Sequence, residues 1–358
     1  MSFDPTYPHN LALLPPKKLI KNEDFSDILL RARVELAELK GACGQIPNPL
    51  LLTSPAMIRE SVASSNIENI NTTLVEVLQG QLFPDVEQRS PDKEVLRYRE
   101  ALFMGFKKIE QYSLSTRIIL DIQKTLLPDS NGKYRREQNR IADSNSGVAL
   151  YTPPPAQEIP KLIGNWENYV HDDTQPVDPL IRAAIAHYQF ESIHPFRDGN
   201  GRTGRILMVL QLVKDGLLSL PVLYISGYIN QNRPDYYRLL REVTSKDNWH
   251  EYINFMLNGF YLQAKETKQD LQKVTTLFRE IKKQIKTEHK KIYSADLVEA
   301  LFTYPVISPT KLASELDLHY TTTSKYLIEL VKSGILKDAK VGKYHFFANE
   351  KLIKILSK

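Results

Sequence analysis

Cysteine is almost missing from this chain: Cys43 is the only one among 358 residues. That excludes a disulfide framework or a cysteine-built zinc site within one chain. Long apolar runs are missing too; none approaches ~18 residues, so no segment reads as a membrane-spanning helix. The opening Met1-Ser-Phe-Asp-Pro-Thr-Tyr-Pro has neither the basic start nor the apolar stretch of a secretory signal, and a cytoplasmic location is the expectation. No internal repeat or low-complexity tract appears, which argues against a solenoid. There is no Gly-Lys-Ser/Thr, and hence no Walker phosphate loop. What remains is ordinary for a globular protein: 42% hydrophobic and 25% charged residues, in a chain long enough for two or three domains. The formal net charge of +5 permits nucleotide or nucleic-acid binding without requiring it.

Against that background one stretch stands out, running from His194-Pro-Phe-Arg-Asp198 through Gly199-Asn200-Gly201 to Arg202-Thr203-Gly204-Arg205. It places a base, a carboxylate, three glycines and two arginines in one turn that opens a helix, expected to begin near Thr203. Glycines let backbone N–H groups approach a ligand closely, and the helix start adds the positive end of its dipole. Arg202 and Arg205 can fork onto phosphate oxygens. His194 is the side chain whose unperturbed pKa suits proton transfer near neutrality. Asp198 is a hard oxygen ligand of the kind Mg²⁺ takes beside substrate phosphates. The glycines also fit G-x-G-x-x-G, but no apolar strand precedes them and residues 217–224 lack the acidic partner of a dinucleotide site. A plain turn between helices would not need this density of function. The stretch reads as a phosphate-handling active site.

These residues resemble the motif of the Fic family, H-x-F-x-[DE]-G-N-G-R-x-x-R, at every specified position from His194 to Arg205. The resemblance implies a mainly α fold, a helical core with a small β-hairpin flap, and transfer of AMP from ATP to a protein hydroxyl. In that reading His194 is the catalytic base, Asp198 carries Mg²⁺, and Gly199, Asn200, Gly201, Arg202, Thr203, Gly204 and Arg205 bind ATP. Upstream, Ser64-x-x-x-Glu68-Asn69 is similar to the family's [ST]-x-x-x-E-[GN] inhibitory motif, in the class that carries it N-terminally. The resemblance then pairs Glu68 with Arg205 and withholds that arginine from the γ-phosphate. From the residues alone, Glu68 could equally point into water. Removal of AMP at the same site, another phosphate-bearing donor, and a nucleotide-sensing DNA regulator are the rival readings.

Domain boundaries are expected at 1–90 for an N-terminal extension with the inhibitory helix and 91–265 for the catalytic core. A helical linker at 266–290 and a small domain at 291–358 complete the division. In the extension, Ile28, Leu29, Ala32, Leu36 and Leu39 recur at helical spacing. In the core, Val95, Tyr98, Ala101, Leu102 and Phe106, then Ile118, Ile119, Ile122 and Leu126, form two apolar helix faces. Residues 134–151 read as a hairpin turning at 144–147; by resemblance its 140–151 portion docks the target backbone as an added strand. His187, Glu191 and His194 share a face of the helix expected over 179–193. A zinc site there lacks a second element to complete it, and Pro195 is expected to end that helix at His194.

Beyond the loop, Tyr236 and Tyr237 open another helix, and by resemblance they border the adenine. Thr244 stands where some relatives carry an asparagine that helps. Residues 249–288 are nearly continuous helix, suited to packing, linking or a homodimeric coiled coil. Residues 296–351 give three short helices and a hairpin, a winged helix-turn-helix pattern. Thr321, Thr322, Thr323, Ser324 and Lys325 are expected at its exposed reading edge. Glu315, Asp317, Glu329 and Asp338 offset the lysines, so contact with DNA and contact with protein both stay open.

Overall fold

A computed structural model describes residues 3–44, 50–83, 87–143, 146–341 and 344–357. The expected hairpin turn at 144–145 and the tip of the second hairpin at 342–343 lie outside the described residues. Helices dominate. The N-terminal part supplies α1 (Ser26–Gly44), α2 (Leu50–Ile67) and α3 (Leu74–Gly80). Next come α4 (Ser90–Ile109), α5 (Thr116–Leu126), the short antiparallel strands β1 (Ile141–Ala142) and β2 (Ala149–Tyr151), and α6 (Ile159–His171). The centre is α7 (Pro179–Ile193) and α8 (Asn200–Lys214), followed by α9 (Ile225–Gln231), α10 (Arg233–Lys246) and the long α11 (Trp249–Glu288).

The two central helices explain the fold's layering. α7 and α8 are buried on nearly all sides, as expected of helices that other helices surround. α4, α5 and α6 present apolar stripes to them; all nine α4 and α5 positions expected to face a core are buried. α1 lies along α11 through Leu29, Ala32, Leu36 and Leu39. A capping box at Thr73 and Glu76 starts α3.

α11 also answers the question left by its length. Its stripe of Leu271, Val274, Ile281 and Ile285 is buried within this chain, and Phe278 meets Phe302 edge-on at 5.1 Å. The partner of that face is the C-terminal unit: α12 (Ala295–Thr303), β3 (Val306–Ile307), α13 (Pro309–Leu316), α14 (Tyr320–Lys332), β4 (Lys337–Val341), β5 (Tyr344–Ala348) and α15 (Glu350–Leu356). Its strands form an antiparallel sheet in the order β3-β5-β4. Ser308 caps α13 by accepting from the Lys311 N–H, with Pro309 at the first helical position. One expectation fails here. Thr323 is fully buried and donates to the Pro309 carbonyl at 2.8 Å, so it locks α14 onto α13 and does not sit on the exposed edge. A hydroxyl with a nearby carbonyl can be buried at little cost.

Candidate active site

α7 stops at Ile193 because His194 adopts a left-handed conformation, φ 50°, ahead of Pro195. The loop then turns sharply. Gly199 has φ 77°, and a Cβ there would lie 2.8 Å from the Leu127 side chain, so the position demands glycine twice over. α8 starts at Asn200, three residues before the expected Thr203, because this glycine is already the cap. Phe196 is fully buried against Tyr134 at 5.6 Å.

Several side chains expected to meet ligand instead build the loop. Asn200 accepts from the Phe196 N–H at 2.8 Å and donates to the Phe196 carbonyl at 2.9 Å. Its amide therefore ties the turn together, leaving the ligand-facing donors to the backbone. Thr203 donates to Gln123 at 2.8 Å, and Gln123 donates to the Asp198 carbonyl at 2.9 Å. Gly204 faces Glu191 and Phe190, so it permits close packing of α8 on α7. Arg135, which no motif pointed to, donates from Nε to the His194 carbonyl at 3.0 Å and from Nη2 to the Pro154 carbonyl at 2.5 Å. The Arg135 N–H also donates to the Pro195 carbonyl at 2.9 Å.

The remaining groups converge. Burial pushes the His194 imidazole down to about 4, despite the nearby Glu68 and Asp198 carboxylates that favour its charge. It is therefore neutral, the form a base needs, with the Glu191 backbone carbonyl beside its ring. Arg202 is buried, donates to Glu94 at 2.9 Å, and leaves its Nε unpartnered. The Asp198 carboxylate is mostly in solvent, 74% exposed; one oxygen caps the Gly199 N–H at 2.6 Å and the other lies 3.6 Å from Arg202. Such a carboxylate at the loop tip fits a hard cation shared with substrate phosphates. Among the described residues, no group of three or more His, Cys, Asp or Glu side chains gathers to cage a metal.

Glu68 follows the last turn of α2 and closes on Arg205, Oε1 to Nη2 at 2.8 Å. The same guanidinium donates to Ser64 Oγ at 2.8 Å and to the Ser64 carbonyl at 2.9 Å. Burial opposes the Glu68 charge, yet Arg205, with Arg202, holds its carboxyl below the usual range. A Cβ on Gly201 would collide with this carboxylate, so Glu68 rests directly on the first turn of α8, where an anion is favoured. Asn69 makes the turn possible at φ 62° and accepts from Arg233 at 3.0 Å.

Tyr236 and Tyr237 separate in role. Tyr236 is buried, its hydroxyl 2.8 Å from His187 Nε2. Tyr237 is half-buried, with Arg233 over its ring at 5.9 Å and Tyr236 beside it at 5.3 Å. Thr244 bonds the Tyr188 hydroxyl at 2.8 Å.

Sequence profiles of the Fic/DOC family match residues 113–212, and those of the family's N-terminal region match 27–107. The chain belongs to the Fic/DOC family. A third profile, the C-terminal domain of SoFic-like protein adenylyltransferases, matches 277–352. Protein adenylyltransferase Fic of Nematostella vectensis is 29% identical over 172 residues, covering 44% of this chain and 37% of that protein. Protein adenylyltransferase fic-1 of Caenorhabditis briggsae is 31% identical over 141 residues, covering 38% and 26% respectively. The match thus spans between about a quarter and little more than a third of the length of these curated relatives. Among solved structures, a Fic family protein from Desulfovibrio desulfuricans G20 matches 94% of this chain and 98% of its own, with TM-score 0.58 and 22% identity. Fic-1 from C. elegans matches 69% of this chain and 74% of its own, with TM-score 0.54 and 19% identity. Both likenesses are of fold.

Proposed function

We propose that this chain transfers AMP from ATP to a Ser, Thr or Tyr hydroxyl of a target protein, and that Glu68 restrains it. The observation carrying the reading is a carboxylate already seated in an anion site: Glu68 on Arg205 at 2.8 Å, against the first turn of α8. The relatives' names, protein adenylyltransferases, support the same chemistry.

In this reading His194 takes the proton from the target hydroxyl as its oxygen bonds to the α-phosphorus of ATP. The bond from that phosphorus to the bridging oxygen breaks, and pyrophosphate leaves. Backbone N–H groups of Asn200 and Gly201 at the start of α8 face the developing charge, the Gly199 N–H being held by Asp198. Arg202 and Arg205 orient the β and γ groups. Asp198 would be the residue to hold Mg²⁺, which would supply neutralisation of phosphate charge. Tyr237 borders the base, and Tyr236, its ring 5.3 Å away and itself held by His187, supports it from behind. The β1–β2 hairpin, with Val148 exposed beside β2, receives the target backbone as an added strand. With Glu68 in place Arg205 cannot reach the γ-phosphate, and one carboxylate lies beside another anion. Residues 291–358 serve as a winged-helix-like partner-binding unit.

The test is intact mass after incubation with ATP and Mg²⁺ for wild type, Glu68→Gly and Glu68→Gly/His194→Ala. Glu68→Gly is expected to gain AMP units at least about tenfold faster than wild type, the worth of one ion pair in a binding pose, and the double variant none. If Glu68→Gly neither binds ATP in calorimetry nor gains AMP, the transferase reading falls.

A further inference from the structure

The structure assigns a second small-molecule site to this chain, a cleft of about 540 Å³ between the α3–α4 segment and the C-terminal unit, which takes a small amphipathic carboxylate. Its volume lies in the range of small-molecule pockets. Met57, Leu82, Leu96, Phe103 and Val306 make the walls predominantly apolar. Phe103 remains 37% exposed there, an aromatic face that an occupant would cover.

The head-group chemistry comes from Arg99. Its Nη1 donates to the neutral amide oxygen of Gln81 at 3.0 Å, and among the described residues no ion pair forms on it. Among the described residues, the buried Arg59, Arg182, Arg202 and Arg205 each hold a carboxylate, and the buried Arg135 is satisfied by three carbonyl oxygens, whereas Arg99 has one amide oxygen. Burial works against the Arg99 charge, and Tyr304 and Glu100 only partly offset it, so its pKa is drawn down. A guanidinium half-removed from water without a carboxylate is poorly compensated. A ligand carboxylate would supply the missing partner through a forked pair. Lys311 adds a second cation to the lining, although Glu315 already neutralises it at 2.7 Å. Among the described residues Arg99 is the lining cation without an ion pair, and the exposed carboxylate of Glu100 also lines the cleft. Apolar walls and this charge balance suit a single acid head on an apolar body and not a polyphosphate.

An occupant would touch three parts at once: α2 through Met57, α4 through Leu96 and Phe103, and the C-terminal unit through Val306. The site is independent of the nucleotide chemistry proposed above.

The experiment uses the full chain and the fluorescent probe 8-anilinonaphthalene-1-sulfonate, competed by decanoate or by decan-1-ol of equal chain length. Wild type is expected to bind the probe saturably at one site, with decanoate displacing it about tenfold better than the alcohol, the worth of one charge-assisted hydrogen bond. Arg99→Gln, checked for folding by circular dichroism, is expected to lose that preference. Phe103→Ala, at a partly exposed position, is expected to weaken both competitors. Equal displacement by acid and alcohol on wild type overturns the proposal. So does non-saturable probe binding, a preference that survives in a folded Arg99→Gln, or competition unchanged in Phe103→Ala.

Discussion

Arg135 illustrates what a single side chain contributes without touching substrate. It braces the carbonyls of His194 and Pro154, and so holds the histidine in the left-handed conformation that aims its ring into the site. Arg135→Ala is expected to lower kcat of a Glu68→Gly background by about a hundredfold with little change in KM, because misplacing a reacting group by about an ångström costs that much. Steady-state kinetics separate the two parameters, and an equal rise in KM would contradict a positioning role. Asn200 acts on the same loop from the other end. Its two hydrogen bonds to Phe196 are buried, so Asn200→Ala is expected to cost about 2 kcal/mol in a denaturant melt, the range for orphaning buried polar groups. Neither role was legible beforehand. The motif marked Asn200 as a ligand group, and Arg135 sits 59 residues before its partner with nothing local to announce it.

The element that decides activity in the proposed function is α2. Three anchors fix it over the site. Arg59 pairs with Glu266 at 2.5 Å and Asp270 at 2.7 Å on α11. Glu60 accepts from the Tyr98 hydroxyl at 3.1 Å and from the Ser226 N–H at 3.0 Å, and the Ser226 hydroxyl also donates to it. Ser64 and Glu68 then hold Arg205. Arg59→Ala leaves the partly exposed Glu266 without this cation and Asp270 with Lys273 alone, so its cost is expected to fall below about 3–5 kcal/mol, the range typical of a fully buried orphaned charge. It is expected to lower the melting temperature and, by loosening α2, to raise AMP gain above wild type in the intact-mass assay. A variant as stable as wild type would remove Arg59 from the anchor. Ser64 and Glu68 could be picked out from spacing and resemblance, because the motif is local. Arg59 and Glu60 could not, since their partners lie far along the chain, Tyr98 38 residues away and Asp270 and Ser226 more than 160.

At the scale of the whole molecule, four buried groups shape the pH response in opposite senses. Burial pushes Glu60 and Glu191 up to about 7. Their folded forms bind protons that the unfolded chain has released, so their contribution is present at low pH and lost as pH rises from the usual carboxylate range through about 7. Burial pushes His187 down to about 3 and His194 to about 4. Their folded forms shed protons that the unfolded chain keeps, so stability is lost as pH falls below the ordinary histidine range toward those values. The two pairs oppose each other between about pH 4.5 and 6.5, and above that window the glutamates act alone. Thermal melts are therefore expected to change little across the window and to decline toward pH 7.5, with a shallower decline in Glu191→Gln. A melting temperature that rises through neutrality would contradict this. The sequence by itself determined the mainly helical class, the motif loop, the ends of α7 and the apolar stripes, because each follows from local spacing, glycine and proline. Only the tertiary structure decided that Asn200 and Thr203 turn inward, that Thr323 is buried, and that the α11 stripe meets its own C-terminal unit. Those outcomes depend on which distant surfaces meet, and burial then selects the partner for every polar group it covers.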